Sequence, residues 1–562
     1  MQGYKEAKRI LERIYGLEKG GRALKRIQAL IENFPVKKGR KTGYFSQEDV
    51  ILITYGDTLN RPGETPLQTL YDFAQKYLQD SISNIHFLPF FPFSSDDGFS
   101  VMDFFSINPE LGSWEDVGRF EQNFQLMFDF VINHFSAGSE WFQSYLEGKT
   151  GYEEFAIAVD PSSDLSMVTR PRSLPLLTEF KKSNGQRVHL WTTFSEDQID
   201  FNYKSLDVLE KMIEALLFYI KQGATILRLD AIAYLWKETG TSCIHLPQTH
   251  DMVKLFRTIL DIVAPDVILI TETNVPHREN ISYFGDGQDE AQMVYNFTLP
   301  PLLFYTFVKE NAGALSDWAK GLQLESDSTT FFNFTASHDG IGVRPLEGIL
   351  LQREIDGLAE IVKANGGQVS YKQNSDGSDS PYELNITYID AILADKDSNQ
   401  AHKFLAAQAI QYALPGVPAT YIHSLLGSRN WLEGVVQTGR ARTVNREKLQ
   451  VEDVDSELND ADSFRSQIFF PYLNLIKTRK KQPAFHPNAP FEILDIHDSI
   501  FAIKRQSADQ TLVALTNISS KPISVSLQGS GLSGQMTDLL TGVKIKIGSF
   551  ELKPYVYVWL SE

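Results

Sequence analysis

Short apolar runs recur along most of this 562-residue chain, and longer stretches with apolar positions at helical spacing separate them. The runs are Val50 to Thr54, Ile85 to Pro89, Leu126 to Ile132, Ile226 to Leu229, Val267 to Thr271, Met293 to Asn296, Phe331 to Phe334 and Ala419 to Ile422. They are apolar throughout rather than alternating, as strands buried on both faces of a parallel sheet must be. Leu67, Leu70, Ala74, Tyr77 and Leu78 follow the i, i+3, i+4 rule, a further helix is expected near Trp114 to Phe124, and Leu209, Met212, Ile213, Leu216, Leu217 and Ile220 form a third, with Gly223 where a C-terminal cap belongs. About eight strand–helix units predict an α/β fold, a (β/α)8 TIM barrel rather than an open sheet.

The rhythm breaks in four places. Residues 1–48 hold Ala7, Ile10, Leu11 and Ile14, then Leu24, Ile27, Leu30 and Ile31, spacings that make two amphipathic helices with basic outer faces, and so predict a helical extension packed on the body. Residues 135–204, after the third strand, lack clear helix periodicity and read as an inserted subdomain. Residues 345–396, after the seventh, read as a second insertion with a polar tip at Asn374 to Ser380. From 485 to 562 short alternating strands separated by turns predict a small antiparallel β domain. The barrel proper is left with residues 49–134, 205–344 and 397–484.

A net charge of −18 argues against nucleic acid or an anionic membrane as partner, although an anionic small molecule remains possible where arginines gather. One cysteine, Cys243, excludes an intrachain disulfide and fits a reducing compartment; a buried structural thiol is the expected role. The N-terminus has no apolar core of a signal peptide, Glu6, Glu12, Glu18 and Glu32 speak against a mitochondrial presequence, and no run approaches a membrane span, so a cytoplasmic protein is expected.

Chemistry enters at the strand ends, where a TIM barrel keeps its active site. Arg228 and Asp230, two apart on one strand, should face the same side at its C-terminal end, which taken alone could be a structural salt bridge. Three more strand tips carry charge: Asp129 with Asn133 and His134, Glu272, and His338 with Asp339. Converging on one rim, they make an acidic, histidine-flanked pocket. Three acids facing a sugar suit glycosyl transfer, one attacking the anomeric carbon, one protonating the leaving oxygen and one stabilising an oxocarbenium-like state.

The quartet Asp129-Phe-Val-Ile-Asn-His134, Arg228-Leu-Asp-Ala231, Glu272 and His338-Asp339 resembles the four sequence regions of the α-amylase superfamily (glycoside hydrolase family 13). The resemblance implies that Asp230 is the nucleophile, Glu272 the general acid/base and Asp339 the transition-state stabiliser, that Arg228 holds Asp230 ionised, and that His134 and His338 bind glucosyl hydroxyls. It also implies retention of configuration, with the Asp230 and Glu272 carboxyl groups roughly 5 to 5.5 Å apart. Non-catalytic members of the superfamily tend to lose this trio.

Ser94 to Ser100, Lys237 to Ile244, Thr335 to Gly342 and Thr443 to Arg446 resemble the sucrose phosphorylase subfamily more closely. That implies a glucose subsite closed by a pair between Asp96 and Arg446, with Phe99 against the sugar, and phosphate as acceptor, giving α-glucose 1-phosphate. Arg172, in Arg170-Pro-Arg172, is then the first candidate for phosphate and Arg344 the second. Thr169 stands where that subfamily has a tyrosine, and Glu272 to His277, Trp236 to Glu238, Ile422 to Asn430 and the helical N-terminus instead resemble the glucosylglycerate phosphorylase branch. The donor implied is 2-O-α-glucosylglycerate, with Thr169, Arg172, Tyr234, Asn274 and His277 placed near the acceptor. Sucrose, sucrose 6′-phosphate and glucosylglycerol are the alternative donors, and an α-glucosidase or transglucosidase is the more distant reading. Phosphate is a substrate, no cofactor is expected, and the calcium site many amylases build near the residue matching Asn133 finds no recognisable ligand set, so no metal is expected. The oligomeric state is not readable from the sequence.

Overall fold

The computed structural model describes residues 2–32, 34–36, 43–171, 174–373, 378–393, 400–527, 534–546 and 548–562. Eight parallel strands close a barrel: β1 (Ile51–Thr54), β2 (Asn84–Phe87), β3 (Gln125–Val131), β4 (Ala224–Asp230), β5 (Ile268–Thr271), β6 (Met293–Tyr295), β7 (Thr330–Asn333) and β8 (Val417–Tyr421). Each pairs with its neighbours in chain order and β1 pairs with β8, so no edge is left open. All eight runs read from the sequence lie on these strands, and nearly every strand residue is buried because helices cover the outside. Leu206–Lys221 is the helix that feeds β4. Ser205 caps its N-terminus, and it ends at Gly223, whose φ of +92° suits a residue without Cβ.

The N-terminal segment forms two helices, Gln2–Tyr15 and Leu17–Glu32, whose apolar faces (Ala7, Ile10, Leu11; Ala23, Ile27, Ile31) are buried. Ion pairs tie the hairpin to barrel helices, Arg13 to Asp251 at 2.6 Å and Arg26 to Asp207 at 2.6 Å, and the Tyr15 hydroxyl donates to the Tyr203 carbonyl at 2.7 Å.

Residues 135–204 contain an eight-residue helix, Glu140–Glu147, that the weak periodicity there did not predict, and an antiparallel hairpin, Leu177–Lys181 with Arg187–Trp191. Two short strands, His134–Ser136 and Gln198–Asp200, pair at the base of this segment. After β7 come a helix, Gln352–Ala364, and a three-stranded sheet of Ile341–Gly342, Asp379–Asn385 and Gln368–Gln373. Most of the polar tip beyond Gln373, residues 374–377, lies outside the described residues. Near the C-terminus an antiparallel six-stranded sheet forms, with Ile523–Ser526 and Ser549–Leu552 as a separate pair. The strands Gln535–Asp538 and Lys544–Lys546 of the sheet, and Ser549–Leu552 of the separate pair, were not legible in the sequence. The buried Arg505 fastens the sheet to the barrel, donating to the carbonyls of Ala413 (2.8 Å) and His486 (2.7 Å). No helix among the described residues is long and apolar enough to cross a membrane.

Candidate active site

The β3–β4 register sets Asp129 opposite Arg228 and Val131 opposite Asp230, and Thr271 of β5 pairs with Leu229, so Glu272 emerges next to Asp230. Arg228 and Asp230 do share a face: Nη1 donates to Asp230 Oδ1 at 2.7 Å. The same guanidinium binds Asp129, donates through Nε to the Tyr295 hydroxyl at 3.1 Å, and stands 3.8 Å from Glu272 Oε2. Asp129 is itself held by His86 at 2.8 Å. Arg228 is 2% exposed. A buried cation of this kind persists only because carboxylates surround it.

One guanidinium therefore serves two carboxyl groups unequally. Burial pushes Asp230 up from the usual carboxylate range, and the direct contact with Arg228 works against that rise. Glu272 is pushed up to about 7: burial is the main cause, Arg228 at 3.8 Å works against it, and Asp230 and Asp339 add repulsion. The proton of the pair therefore resides on Glu272. Ala231 follows in the left-handed region (φ 50°, ψ 30°), which aims its N–H at Glu272 Oε2 (3.2 Å). Strained backbone of this type clusters at functional sites.

Burial works against ionised Asp339, but Arg442, His338 and Arg446 outweigh it and hold this carboxyl well below the ordinary value. His338 is pushed down to about 3, chiefly by burial, and is neutral; its ring stacks on Phe99, with centroids 4.8 Å apart. His134 has both ring nitrogens engaged by the protein, Nε2 with the Phe99 carbonyl (2.9 Å) and Gln198 (3.1 Å), Nδ1 with Asn133 (3.3 Å).

These groups surround a cavity of about 100 Å³, lined also by Asp96, Tyr234 and Asn274, that adjoins an outer vestibule of about 540 Å³. The two share Asp96, Pro171, Gln198, Tyr382, Glu383 and Arg442. Of the residues expected here, Asp230, Glu272, Asp339, Asp96, Phe99, His134, Arg228, His338, Tyr234 and Asn274 line the cavity, and Arg446 lines the vestibule.

Several expectations need correction. Arg446 pairs with Asp97, not Asp96, and donates through Nε to the His338 carbonyl at 2.8 Å. The cause is local: Asp96 and Asp97 are both left-handed (φ 56° and 48°), and the turn sends the second carboxylate to Arg446 while Asp96 accepts from Gln198 at 3.3 Å. Thr169, His277 and Arg344 stand off both cavity walls. Thr169 is drawn aside by its N–H donating to the Ser242 carbonyl (2.9 Å), and the His277 ring lies 5.8 Å from that of Phe331. Arg344 opens a short 3-10 turn, near enough to Tyr234 and His245 for its charge to act on both. Arg172 lies outside the described residues. Cys243 is buried, its thiol donating to the Glu238 carbonyl.

The sequence pattern did not single out Arg442, Glu383 or Tyr382. Arg442 approaches Asp339 Oδ1 to 2.6 Å and grips Glu383 through Nε (2.9 Å) and Nη2 (2.6 Å). Arg440-Ala-Arg442 just before Thr443-Val-Asn-Arg446, three arginines in an acidic chain, was a usable signal. Glu383 comes from an insertion whose path over the barrel no local pattern announces. It packs directly on the residue after Asp339 because Gly340 lacks a side chain: a Cβ there would lie 2.7 Å from both Glu383 Cγ and the Leu384 carbonyl. Asn133 Oδ1 accepts from the buried Lys237 ammonium at 2.7 Å, and that ammonium also pairs with Asp200 at 2.5 Å. Among the described residues no cluster of histidine, cysteine and carboxylate side chains could hold a metal ion.

The catalytic-domain model of the α-amylase family matches residues 75–339. A glucosylglycerate phosphorylase of Spirochaeta thermophila is 49% identical over 533 residues, 92% of this chain and 90% of the relative. One from Escherichia coli K12 is 47% identical over 93% of each chain. The crystal structure of the sucrose 6F-phosphate phosphorylase from Thermoanaerobacter thermosaccharolyticum superposes with a TM-score of 0.75 at 26% identity, covering 89% of this chain and 98% of that one. With almost half of its residues shared with such relatives over nine-tenths of its length, the chain belongs to the α-amylase family, in its sucrose phosphorylase-like branch.

Proposed function

We propose that the protein is a retaining α-glucosyl phosphorylase whose donor is 2-O-α-glucosylglycerate. The observation that carries the reading is the unequal sharing of Arg228: Asp230 at 2.7 Å is kept as the attacking carboxylate, while Glu272 at 3.8 Å, pushed up to about 7, keeps a proton to give. In the first step Asp230 bonds to the anomeric carbon, the bond from that carbon to the glycerate oxygen breaks, and the Glu272 proton moves to the departing oxygen. In the second, a phosphate oxygen attacks the same carbon, Asp230 leaves, and Glu272 takes up the phosphate proton. Two inversions retain the α configuration and release α-glucose 1-phosphate. Asp339, ionised beside Arg442, faces the positive charge that develops on the sugar between these steps.

The choice of donor is supported by the names of the two relatives at 47–49% identity, and by Asn274 on the cavity wall, in a stretch from Glu272 to His277 that departs from the sucrose phosphorylase pattern. Protein side chains carry every step of this scheme, with phosphate as co-substrate and no cofactor. Initial rates of glucose 1-phosphate release from glucosylglycerate, sucrose, sucrose 6′-phosphate and glucosylglycerol test it. Glucosylglycerate should be fastest, and a faster rate with any of the others would overturn the donor assignment.

A further inference from the structure

The reaction proposed above brings two anions, a carboxylate and a phosphate, into a cavity walled by carboxyl groups. Asp96, Asp230, Glu272, Asp339 and Glu383 all line it. Against them the described lining residues offer two guanidiniums, Arg228 and Arg442. Arg228 lies against the nucleophile, its Nε donating to Tyr295 and its Nη1 to Asp129 and Asp230, with Nη2 3.8 Å from Glu272 Oε2.

Arg442 is placed differently. Its side chain is 26% exposed, on the short turn Ala441–Asn445 where cavity and vestibule meet. Nε and one N–H of Nη2 are taken by Glu383, and Nη1 stands 2.6 Å from Asp339 Oδ1 as an ion pair. A guanidinium carries five N–H donors, so at least one on Nη1 and one on Nη2 have no hydrogen-bond acceptor among the described residues. Two such donors on neighbouring nitrogens can take the two oxygens of a carboxylate or a phosphate together. Glu383 is 5% exposed, on a strand packed against Gly340, so the carboxylate that orients the fork is itself fixed.

We propose that Arg442, oriented by Glu383, determines specificity for anionic partners in both half-reactions, its free Nη1 and Nη2 donors binding the carboxylate of the leaving acid and then phosphate. The proposal rests on the phosphorylase reading above. Glu383 sets the strength of the hold as well as its direction, because its own charge offsets that of the guanidinium.

The test uses α-glucosyl fluoride, a donor that loads Asp230 without bringing an anionic acceptor. The glucosyl-enzyme is offered phosphate against glycerol, and D-glycerate against glycerol, in mixed-acceptor competition, and the product ratios are read. Ratios do not depend on how much of a variant is folded. Arg442→Lys keeps the charge but loses the fork, and should lower both anion-to-glycerol ratios by at least about tenfold. Glu383→Gln should raise both. If Arg442→Lys slows anionic and neutral acceptors in proportion, or Glu383→Gln leaves the ratios unchanged or lowers them, the assignment is wrong. Should Arg442→Lys form no product, Glu383→Gln decides. A wild-type enzyme that hands glucose to water despite saturating phosphate would instead refute the phosphorylase reading, whatever the variants do.

Discussion

Replacing Glu272 by glutamine should make the protein more stable and less active, with a pH dependence that identifies the cause. Glu272 rises from the ordinary 4.5 to about 7. That difference corresponds to about 3 kcal/mol between its protonated and ionised forms. The folded protein holds this proton more tightly than the unfolded chain does. Between about pH 4.5 and 7, therefore, stability falls as pH rises, and the full cost is present above pH 7 and absent below 4.5. Glutamine is neutral throughout and escapes it. The gap between variant and wild type should open from under about 1 kcal/mol at pH 5 to about 3 kcal/mol at pH 8, the latter being, over a chain of this length, roughly 2–3 °C in melting temperature. Phosphorolysis should drop about 10²- to 10⁴-fold with the loss of the acid. Fluoride needs little protonation to leave, so the initial burst from α-glucosyl fluoride should survive. Differential scanning calorimetry at the two pH values and a stopped-flow fluoride burst make the measurements. A melting-temperature gap of the same size at both pH values would refute the argument from buried charge, and a lost burst would refute the assignment as acid.

Asp230→Asn should cut turnover by at least about 10³-fold with an unchanged circular dichroism spectrum, because the atom that bonds to glucose is gone. The glucosylation rate of the wild type should fall about tenfold per pH unit above 7 as Glu272 loses its proton, while the rate from α-glucosyl fluoride stays flat; a shared decline would point to a different group. Lys237→Met strands the buried Asp200 carboxylate and should cost about 3–5 kcal/mol in denaturant unfolding, mostly regained in the double variant with Asp200→Asn. Arg26→Ala breaks partly exposed pairs to Asp207 and Glu210 and should cost under about 1 kcal/mol.

The barrel was legible because each of its strands is a continuous apolar run, and β4 with Arg228 and Asp230 could be read down to which side chains share a face. The acidic trio was legible for a related reason: charge at the end of such a run has nowhere to go but the rim. What was lost depends on contacts far apart in the chain. Arg442 meets Glu383 from 59 residues away, and nothing near either residue marks the other as a partner. Asp96 and Asp97 look alike in sequence, and only the two left-handed residues in succession decide which carboxylate reaches Arg446. The helix Glu140–Glu147 escaped notice because eight residues give barely two turns of periodicity to detect.

In the proposed reaction phosphate, not water, receives glucose from Asp230. Incubating the protein with 2-O-α-glucosylglycerate, with and without inorganic phosphate, and quantifying both sugar products tests it directly. The structure predicts α-glucose 1-phosphate and glycerate in equal amounts when phosphate is present and almost no turnover without it. Free glucose released at the same rate in both mixtures would contradict it.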